Sequence, residues 1–406
     1  MENTMKKHFK SIILAMLALV STILLYGCGS QTRGWEDNGQ ILKKGDLIGI
    51  SMPTKADQRW NMDGGNLVKK LEEQGFKTKL AYANNSPSQQ STDINNLVSA
   101  GAKAIVVASV DGTAVGPAVK QAKDNGATVI AYDRLIMNTD SVDYYVTFEL
   151  ERTGILEAQT IIDRLDLKNG GGKDMPYNIA LFAGSDDDNN APYFFKGAWD
   201  LLQPYFESGQ LVDPSGIVTK DFTTKDWKKI SVHAWDQSQA QKQMDAIMTK
   251  LGDKPLAAVL SPYDAISLGA MKSIKNARPE MSPSIPFDSK NPTNASAWPI
   301  ITGQDGMDIA ITNIYYGAQE QTVFKDTSLL SDQTTDLLVD ISKGNQPKSD
   351  KEPMNNGKKD VPTWLMNSDE LVKNPKGDQK GLHYVVEVGF ITEKQYQKNI
   401  KAPIIK

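Results

Sequence analysis

The stretch AIVVASVDGTAVGPAVKQAKDNGATVIAYDR, residues 104–134, decides the predicted fold. Its apolar runs, 104–109 and 128–132, are continuous rather than alternating, which indicates strands that are buried on both faces. A helical pattern lies between them near Thr113–Asn125, and Gly126 follows where a C-terminal cap belongs. A strand, a helix and a second strand in this order predict two parallel strands joined by a crossover helix.

The same pattern extends on both sides of this unit. Upstream, Gly75 and Gly101 stand where two further helices should end. From about residue 150 a second series of similar length begins. The first series adds strands at 47–52 and 77–83 and helices at 57–74 and 88–99; the second has helices at 149–165, 192–207, 237–251 and 265–276 and strands at 178–184, 216–220, 256–261 and 299–302.

Two series of alternating strands and helices predict an α/β protein with two facing Rossmann-like domains, each a doubly wound parallel sheet. The remainder is less regular, with an apolar run at 322–325, a helical pattern at 328–342 and the run YVVEVGF at 384–390. We expect this part of the chain to cross between the two domains.

The first residues have the pattern of a secretion signal. MKKHFK (5–10) supplies positive charge, an apolar run follows at 11–26, and small residues flank Cys28. This pattern predicts a lipoprotein signal peptide over 1–28 with a lipid on Cys28, whereas an uncleaved N-terminal anchor is the alternative. Both interpretations place the body of the protein outside the cytoplasmic membrane. Residues 29–44 are polar without clear periodicity, which indicates a tether.

Composition narrows the class of partner. The chain has 406 residues, enough for two domains, with 45 Lys and Arg against 49 Asp and Glu. Without an excess of positive charge, nucleic acid is not an expected partner. Cys28 is the only cysteine, so the core rather than a disulfide must stabilise the mature chain.

Polar side chains recur where the predicted strands end. In open α/β sheets, ligands bind outside the carboxyl ends of the strands. Aspartate accepts hydrogen bonds, arginine donates them and asparagine does both, which suits the hydroxyl groups of a neutral polyol better than an anion. The residues that follow strands in this way are Arg59, Trp60, Asp111, Asp133, Arg134, Asp188, Asn189, Asn190, Tyr263, Asp264, Gln304 and Asp305.

Other interpretations of single positions remain open. Asp188 could simply cap the helix that Pro192 opens. Trp60 and Trp235 could cover the apolar face of a sugar ring, or they could belong to the core. The repeated placement of polar groups at one edge of both halves is what favours a binding site.

The sequence lacks the motifs of common catalytic and metal sites. His233 and His383 are far apart, there is no HExxH motif or GxSxG elbow, and 186–188 lacks the spacing of a calcium loop. The segment GGGKD (170–174) lacks the leading glycine and the Ser or Thr of a phosphate loop. We therefore expect no cofactor, no metal and no enzymatic activity. A pair of carboxylates for glycoside hydrolysis stays open, because the distance between two carboxylates cannot be read from the sequence.

Several motifs resemble one known family. IGISMPTKADQRW, VIAYDRLI, AGSDDDNNA, SPYDA, ITGQDG, TVFK and NNGKKDVP occur in the order seen in bacterial D-xylose-binding and multiple-sugar-binding proteins. These are type I periplasmic binding proteins of ABC transporters, and the similarity runs from about Gly45 to the C-terminus. Tyr263 resembles the multiple-sugar branch, so the choice of sugar stays open. The segment 278–297 is longer than in the xylose-specific relatives and has no functional interpretation.

The resemblance implies a location, a ligand and partners. It implies an extracytoplasmic protein that binds a monosaccharide and delivers it to a membrane permease. A sugar sensor for a chemoreceptor or histidine kinase is the alternative, and an extracellular hydrolase is a further one. The implied sugar contacts are Arg59, Trp60, Asp133, Arg134, Asp188, Asn190, Asp305 and Lys325, with Trp235 as a second ring platform and Tyr263 and Asp264 beside them.

The resemblance also implies three crossovers between the lobes. They are expected near 147–149, 325–327 and 361–364. This divides the chain into a first lobe of residues 45–147 plus about 326–362 and a second lobe of residues 148–325 plus about 363–406.

Overall fold

The computed structural model describes residues 42–349, 351–366 and the strand 371–373, all of which belong to one compact unit. The predicted signal peptide, Cys28, most of the tether and the run 384–390 lie outside the described residues. In the described part, no helix has both the length and the apolar character that crossing a membrane requires.

The first lobe is built on a six-stranded sheet in the order β2-β1-β3-β4-β5-β15. Every neighbouring pair is parallel, and β1 lies between β2 and β3, which is the doubly wound arrangement that the sequence predicts. Its strands are β1 (Leu47–Met52), β2 (Lys77–Tyr82), β3 (Ala104–Val107), β4 (Thr128–Tyr132), β5 (Tyr144–Phe148) and β15 (Thr363–Met366).

Helices cover both faces of this sheet. Ile50, Val106 and Ile130 pack on one face with α1 and α9, whereas Ile105, Val107 and Val129 pack on the other with α2 and α3. Alternate strand residues therefore enter separate cores, which explains the continuous apolar runs. The helices are α1 (Gln58–Glu73), α2 (Pro87–Ser99), α3 (Gly116–Asp124) and α9 (Thr327–Ser342).

The second lobe repeats the arrangement on a four-stranded sheet in the order β7-β6-β8-β11. Two further cores flank it, one with α4 and α5 and one with α6 and α7. Its elements are α4 (Leu150–Arg164), β6 (Tyr177–Leu181), α5 (Ala191–Glu207), β7 (Leu211–Val212), α6 (Gln237–Leu251), β8 (Ala258–Leu260), α7 (Asp264–Ala277) and β11 (Ile300–Ile301).

Smaller elements complete the described chain. The segment 278–297 forms β9 (Ser282–Pro286), which pairs with β10 (Ala297–Trp298), and α8 (Asp308–Tyr315) follows β11. β12 (Gln321–Val323) adjoins the second sheet through a bridge between Gln304 and Val323, and it pairs with β16 (Leu371–Lys373). β13 (Met354–Asn355) and β14 (Asp360–Val361) form a hairpin.

The prediction of a strand at 216–220 is wrong. The second strand of the second sheet is the short β7, and 216–220 is irregular. The carboxylate of Asp213 accepts from the backbone NH groups of Ser215, Ile217 and Val218, so these groups are bound locally rather than to a neighbouring strand. The sequence patterns also did not reveal β5 or α8.

The chain passes between the lobes at three places. It leaves the first lobe between Phe148 and Leu150 and returns between Val323 and Thr327. The third passage lies later than the expected 361–364, because β15 pairs with β5 in the first sheet and only β16 reaches β12. Residues 363–366 therefore lie in the first lobe.

Candidate functional site

The carboxyl ends of the two sheets enclose one cavity. Of the predicted sugar contacts, all but Asp264 line it, whereas Asp111 and Asn189, which also follow strands, do not. Three further lining residues, Asp57, Phe194 and Gln304, are not among the predicted contacts. The predicted residues that the structure brings together here are Arg59, Trp60, Asp133, Arg134, Asp188, Asn190, Trp235, Tyr263, Asp305 and Lys325.

The first turn of α1 places Arg59 and Trp60 in the cavity. Asp57 caps this helix, because its side chain accepts a hydrogen bond from the backbone NH of Arg59. The Arg59 guanidinium forms an ion pair with Asp133 and lies 3.7 Å from Asp305 and 3.5 Å from Asp63. Its Cζ atom is 4.6 Å from the centroid of the Trp60 ring, within cation–π range.

A left-handed residue ends β4 and positions the next two side chains. Asp133 has a φ of 62°. Its backbone carbonyl accepts hydrogen bonds from Tyr145 at 2.9 Å, Thr147 at 2.8 Å and Asn190 at 3.0 Å. These bonds fix a conformation that costs an L-residue about 1–3 kcal/mol. The turn directs Arg134 toward the second lobe.

Polar contacts cross between the lobes around the cavity. Arg134 Nε lies 2.9 Å from the carboxylate of Asp188 in the second lobe. The hydroxyl group of Tyr263 donates to Asp57 at 2.8 Å in the first lobe. Together with the Asn190 contact to Asp133, these bonds join the rims of both sheets in the structure.

Asp188 turns the chain into α5 but does not cap its first turn. Its Oδ1 accepts from the backbone NH of Asn190, the residue that precedes the helix, at 2.9 Å. The other oxygen accepts from the indole NH of Trp235 at 3.1 Å. Asp188 therefore stabilises the turn before α5 and also lines the cavity.

Trp235 forms one wall of the cavity through an unusual local backbone. Ala234 and Trp235 have φ values of 53° and 55°. The indole lies so close to Gly184 that a Cβ atom there would be 2.1 Å from the ring. Its centroid is 5.7 Å from that of Tyr263 and 6.4 Å from that of Phe194. The indole is thus held by aromatic neighbours on the second lobe.

Asp305 and Lys325 form the wall near the crossovers. Asp305 has a φ of 91°, and its carboxylate is 2.9 Å from Lys325 Nζ. The ammonium group lies 5.2 Å from the ring centroid of Phe194 and 5.7 Å from that of Phe148. Lys325 is 3% exposed, so its charge is compensated almost entirely by protein groups.

The charges of the site shift the pKa values of its carboxyl groups in different directions. Burial raises the pKa of Asp133, but Arg59, Lys325 and Arg134 together outweigh burial, and the pKa lies below its ordinary value. For Asp188 burial outweighs the effect of Arg134, and the pKa is raised. Burial also raises the pKa of Asp57. Asp133 is therefore the most firmly ionised of the three.

Asp264 is the predicted contact that does not reach the cavity. Its carboxylate accepts from the backbone NH of Met307 at 2.8 Å, from Gln319 at 2.8 Å and from Thr322 at 3.0 Å. As the first residue of α7 it thus ties that helix to the loop after β11 and to β12. These three donors lie behind the cavity wall, and the carboxylate of Asp264 therefore faces away from the cavity.

The three additional lining residues left weak signals in the sequence. Asp57 is the N-cap of α1, a position that a capping pattern could have indicated. Gln304 directly precedes Asp305 and is 2% exposed, and its Oε1 atom has no hydrogen-bond partner within the described residues. Phe194 lies in the first turn of α5, and no sequence pattern distinguishes it from a core residue.

Asp186, Asp187 and His233 form a titratable cluster beside the cavity. Their potential ligand atoms lie within 4.8 Å of one another. His233 Nδ1 is 2.7 Å from Asp186, and this hydrogen bond raises the pKa of the imidazole. The side chain of His233 is 60% exposed, so water already solvates the cluster. The expectation that the protein binds no metal stays a prediction.

The cavity itself is small, with a volume of about 30 Å³. This volume accommodates only one or two water molecules. Arg134 pairs with Asp188 across the lobes, whereas Arg59 pairs with Asp133 of its own lobe and lies 3.7 Å from Asp305 of the second. A larger polar molecule would enter only if the lobes separate and these groups exchange partners.

Comparison with known proteins identifies the family. The model of the periplasmic binding protein domain matches residues 48–346. A multiple sugar-binding periplasmic protein of Azospirillum brasilense is 40% identical over 89% of this chain and 94% of its own length. The D-xylose-binding periplasmic protein of Escherichia coli is 30% identical over 86% of this chain and 92% of its own.

A solved structure agrees with this assignment. An ABC transporter solute-binding protein from Clostridium phytofermentans, crystallised with β-D-glucose, is 35% identical to this chain with a TM-score of 0.74. The match covers 86% of this chain and 100% of that protein. With its two doubly wound sheets and a cavity at their facing edges, the chain belongs to the periplasmic binding protein family and has the type I fold.

Proposed function

We propose that the protein captures a monosaccharide between its two lobes and delivers it to the permease of an ABC transporter. The observation that carries the proposal is the set of polar side chains that both lobes direct into one cavity. The names of the relatives support the class of ligand, since the Azospirillum brasilense protein is a multiple sugar-binding protein and the Clostridium phytofermentans protein holds glucose. Family membership places the protein outside the cytoplasmic membrane.

The chemistry of the cavity suits an uncharged sugar. Asp133, Asp188 and Asp305 can each accept from hydroxyl groups, because a carboxylate has more acceptor positions than its present partners use. Arg59 and Arg134 present donors, and Gln304 offers a buried amide oxygen. The cavity sets three cationic side chains against the four carboxyl groups of Asp57, Asp133, Asp188 and Asp305, and this near balance favours a neutral ligand over an anion or a cation.

Binding requires opening and closing of the lobes. In the open form a sugar would contact one rim, and closure would add the second rim, so the closed form gains the additional contacts. Trp60 and Trp235 would then pack against the apolar C–H faces of the ring. Each hydrogen bond to a charged group contributes roughly 1.5–3 kcal/mol when water is excluded.

A thermal-shift panel with xylose, galactose, glucose, arabinose, ribose and fucose tests the proposal. A sugar at a hundred times its dissociation constant adds about 2.7 kcal/mol to the unfolding free energy, a readily measured shift. The shift should fall below detection in Arg134→Ala. Arg164→Ala is the matched control, because Arg164 pairs with Glu320 and does not line the cavity. Equal sugar shifts in the two variants would contradict the site.

Three finer parts of the proposal need their own measurements. Labelling of the wild type but not of Cys28→Ser with a radioactive fatty acid would support the lipid anchor. Co-purification of the sugar-loaded protein with its permease supports delivery, whereas recovery of a sensor kinase would favour the signalling alternative. Unchanged sugar after prolonged incubation supports binding without catalysis, and a new product would favour a hydrolase.

A further inference from the structure

A contact between the lobes that is made by Asn189 lies outside the cavity. The side-chain amide of Asn189 donates to the backbone carbonyl of Leu135 at 2.8 Å. Asn189 lies in the second lobe, between β6 and α5, whereas Leu135 follows β4 in the first lobe. The contacts between the lobes described above use side chains that line the cavity, but neither Asn189 nor Leu135 lines it. This bond can therefore join the lobes without touching a bound ligand.

Gly112 of the first lobe provides the space for the amide of Asn189. A Cβ atom on Gly112 would lie 2.2 Å from Nδ2 of Asn189 and 2.7 Å from the carbonyl oxygen of Leu135, closer than non-bonded atoms pack. Gly112 is not among the residues with positive φ, so the contact needs its missing side chain rather than its backbone freedom. Any larger residue here would fill the space into which Asn189 inserts.

The first lobe fixes the position of this contact through bonds of its own. The carbonyl of Gly112 accepts from the backbone NH of Met137 at 2.9 Å, which joins the loops after β3 and β4. The side-chain amide of Asn356 donates to the carbonyl groups of Ile136 at 3.1 Å and Thr139 at 2.8 Å. Since these bonds do not involve the second lobe, little ordering is needed when Asn189 reaches the first lobe.

The position of this contact links it to opening of the lobes. We call Asn189, Gly112 and Leu135 the latch. Its part in the first lobe follows β3 and β4, whereas two of the three crossovers leave from β5 and β15, at the edge of the first sheet. Rotation about the crossovers moves points apart in proportion to their distance from the axis. Separation of the lobes must therefore break the latch.

We propose that the latch stabilises the closed form independently of the ligand, so that Asn189 is a positioning residue that changes the affinity for every sugar by the same factor. A contact that is made in the closed form but not to the ligand changes only the fraction of closed protein. The statement about sugars rests on the function proposed above, whereas the statement about closure of the empty protein does not.

Asn189→Ala in the full chain tests the effect on affinity. For each sugar of the panel above that the wild type binds, with glucose as the reference, the dissociation constant should rise by the same factor. One neutral hydrogen bond corresponds to about three- to tenfold. The dissociation rate, measured by stopped-flow tryptophan fluorescence, should rise with it.

Asn178→Ala is the matched control for Asn189→Ala. The side-chain amide of Asn178 also donates to a backbone carbonyl at 2.8 Å, but its acceptor, Pro255, lies in the same lobe. Asn178 does not line the cavity. This variant removes an equivalent hydrogen bond within one lobe, so it should leave the dissociation constants and the dissociation rates unchanged.

Small-angle X-ray scattering without sugar separates a failure of the latch from a failure of the proposed function. Asn189→Ala should have a larger radius of gyration than the wild type and Asn178→Ala, because more of the protein is open. If no sugar of the panel binds to any of the three proteins and the radius still increases, the proposed function fails and the latch stands.

Gly112→Ala tests the same contact from the first lobe. The added methyl group takes the place of the Asn189 amide and should weaken sugar binding by the same factor as Asn189→Ala. In the double variant the two factors should not multiply, because both changes remove one contact. Urea denaturation reports separately whether the methyl group strains the first lobe. Gly116→Ala is the control, since a Cβ atom there meets no atom within 4 Å.

Three outcomes would overturn the proposal. The first is an Asn189→Ala variant whose radius of gyration and sugar affinity both match those of the wild type. The second is a loss of affinity that differs between sugars by more than the measurement error, which would make Asn189 a ligand contact. The third is a larger radius with unchanged affinity, which would separate the latch from binding.

Discussion

The two lobes share a topology but supply different chemistry to the cavity between them. The first lobe contributes both guanidinium groups, on Arg59 and Arg134, whereas the second contributes Asp188 and Asp305 as their partners across the gap. The indole of Trp60 lies under the arginines of its own lobe, at 4.6 Å and 5.2 Å from their Cζ atoms. The indole of Trp235 is instead held by aromatic neighbours and Asp188.

This difference shows that the lobes attract each other through the same groups that are proposed to bind the ligand. A sugar must therefore replace existing ion pairs and hydrogen bonds between the lobes rather than meet unpaired charges. Affinity then depends on the difference between two sets of contacts, which is the general condition for a ligand to shift a conformational equilibrium.

Removing Arg59 should have the largest effect. Arg59→Ala leaves Asp63, Asp133 and Asp305 without a shared cation, and breaking a buried pair in this way costs about 3–5 kcal/mol. Urea denaturation should show this loss, and calorimetry should detect no sugar binding. Arg164→Ala serves as the control, since its salt bridge is partly exposed. An unchanged unfolding free energy in Arg59→Ala would contradict the central role of this guanidinium.

Removing one hydroxyl group at the rim should shift the balance between open and closed forms. Tyr263→Phe deletes the hydrogen bond to Asp57, a contact to a charged group that is worth about 1.5–3 kcal/mol. We expect weaker sugar binding and a larger radius of gyration by small-angle X-ray scattering without sugar. In the double mutant with Asp57→Asn, which removes the charge from the acceptor of the same bond, the two changes should not add. Additive losses would show that each residue acts separately.

Displacing the indole of the second lobe should have a smaller effect on stability. Gly184→Ala places a methyl group against Trp235, and overpacking of this kind costs about 1–3 kcal/mol. Sugar binding should weaken at least tenfold, which fluorescence titration can measure. Gly209→Ala is a control for glycine replacement, since a Cβ there meets no atom within 4 Å, although its φ of 77° adds backbone strain. Normal sugar affinity in Gly184→Ala would exclude Trp235 from the site.

Both lobes also bury carboxyl groups that do not line the cavity, and Asp63 of the first lobe and Asp264 of the second can be compared by pH. Burial raises the pKa of Asp63 to about 7, against the opposing effect of Arg59. Burial raises the pKa of Asp264 to about 8, although Met307, Gln319 and Thr322 donate to it. The folded state thus retains protons that the unfolded state has already released.

Because the folded pKa exceeds the unfolded value, each carboxyl group favours folding at low pH and loses that contribution as the pH rises. For Asp264 the window runs from about pH 4 to about pH 8. Within it the unfolding free energy should fall by up to about 1.4 kcal/mol per pH unit. Asp264→Asn should flatten this slope, and Asp308→Asn, at the start of α8, should leave it unchanged. Equal slopes in all three proteins, measured by urea denaturation, would contradict the shift.

Much of the fold could be predicted from local patterns. The strands β1 and β4 and the ends of α1, α2 and α6 agree with the sequence within about two residues, a normal margin for element boundaries. Gly75, Gly101 and Gly126 do have positive φ after their helices. The strand predicted at 216–220 failed, because the carboxylate of Asp213 binds the nearby backbone and no β-propensity scale describes that bond.

The sequence could predict at which edge of each sheet the candidate site lies, but not which side chains contact one another there. Sheet topology brings the residues after each strand to one rim, and for that reason most of the singled-out side chains line one cavity. The same rule selected Asp264, whose carboxylate faces the other way, because position after a strand does not determine side-chain direction. The rule also missed Phe194, because its sequence context does not distinguish it from a core residue.

The sequence by itself determined two α/β lobes, their strands and caps, and the rim on which polar groups collect, since these depend on neighbours a few residues apart. Only the tertiary structure decided that Asp133, Trp235 and Asp305 adopt left-handed backbones, and that Tyr263 reaches Asp57 from a position 206 residues away. Such features depend on how two separately folded sheets face each other. That arrangement is fixed by the packing of the whole chain, which no local pattern records.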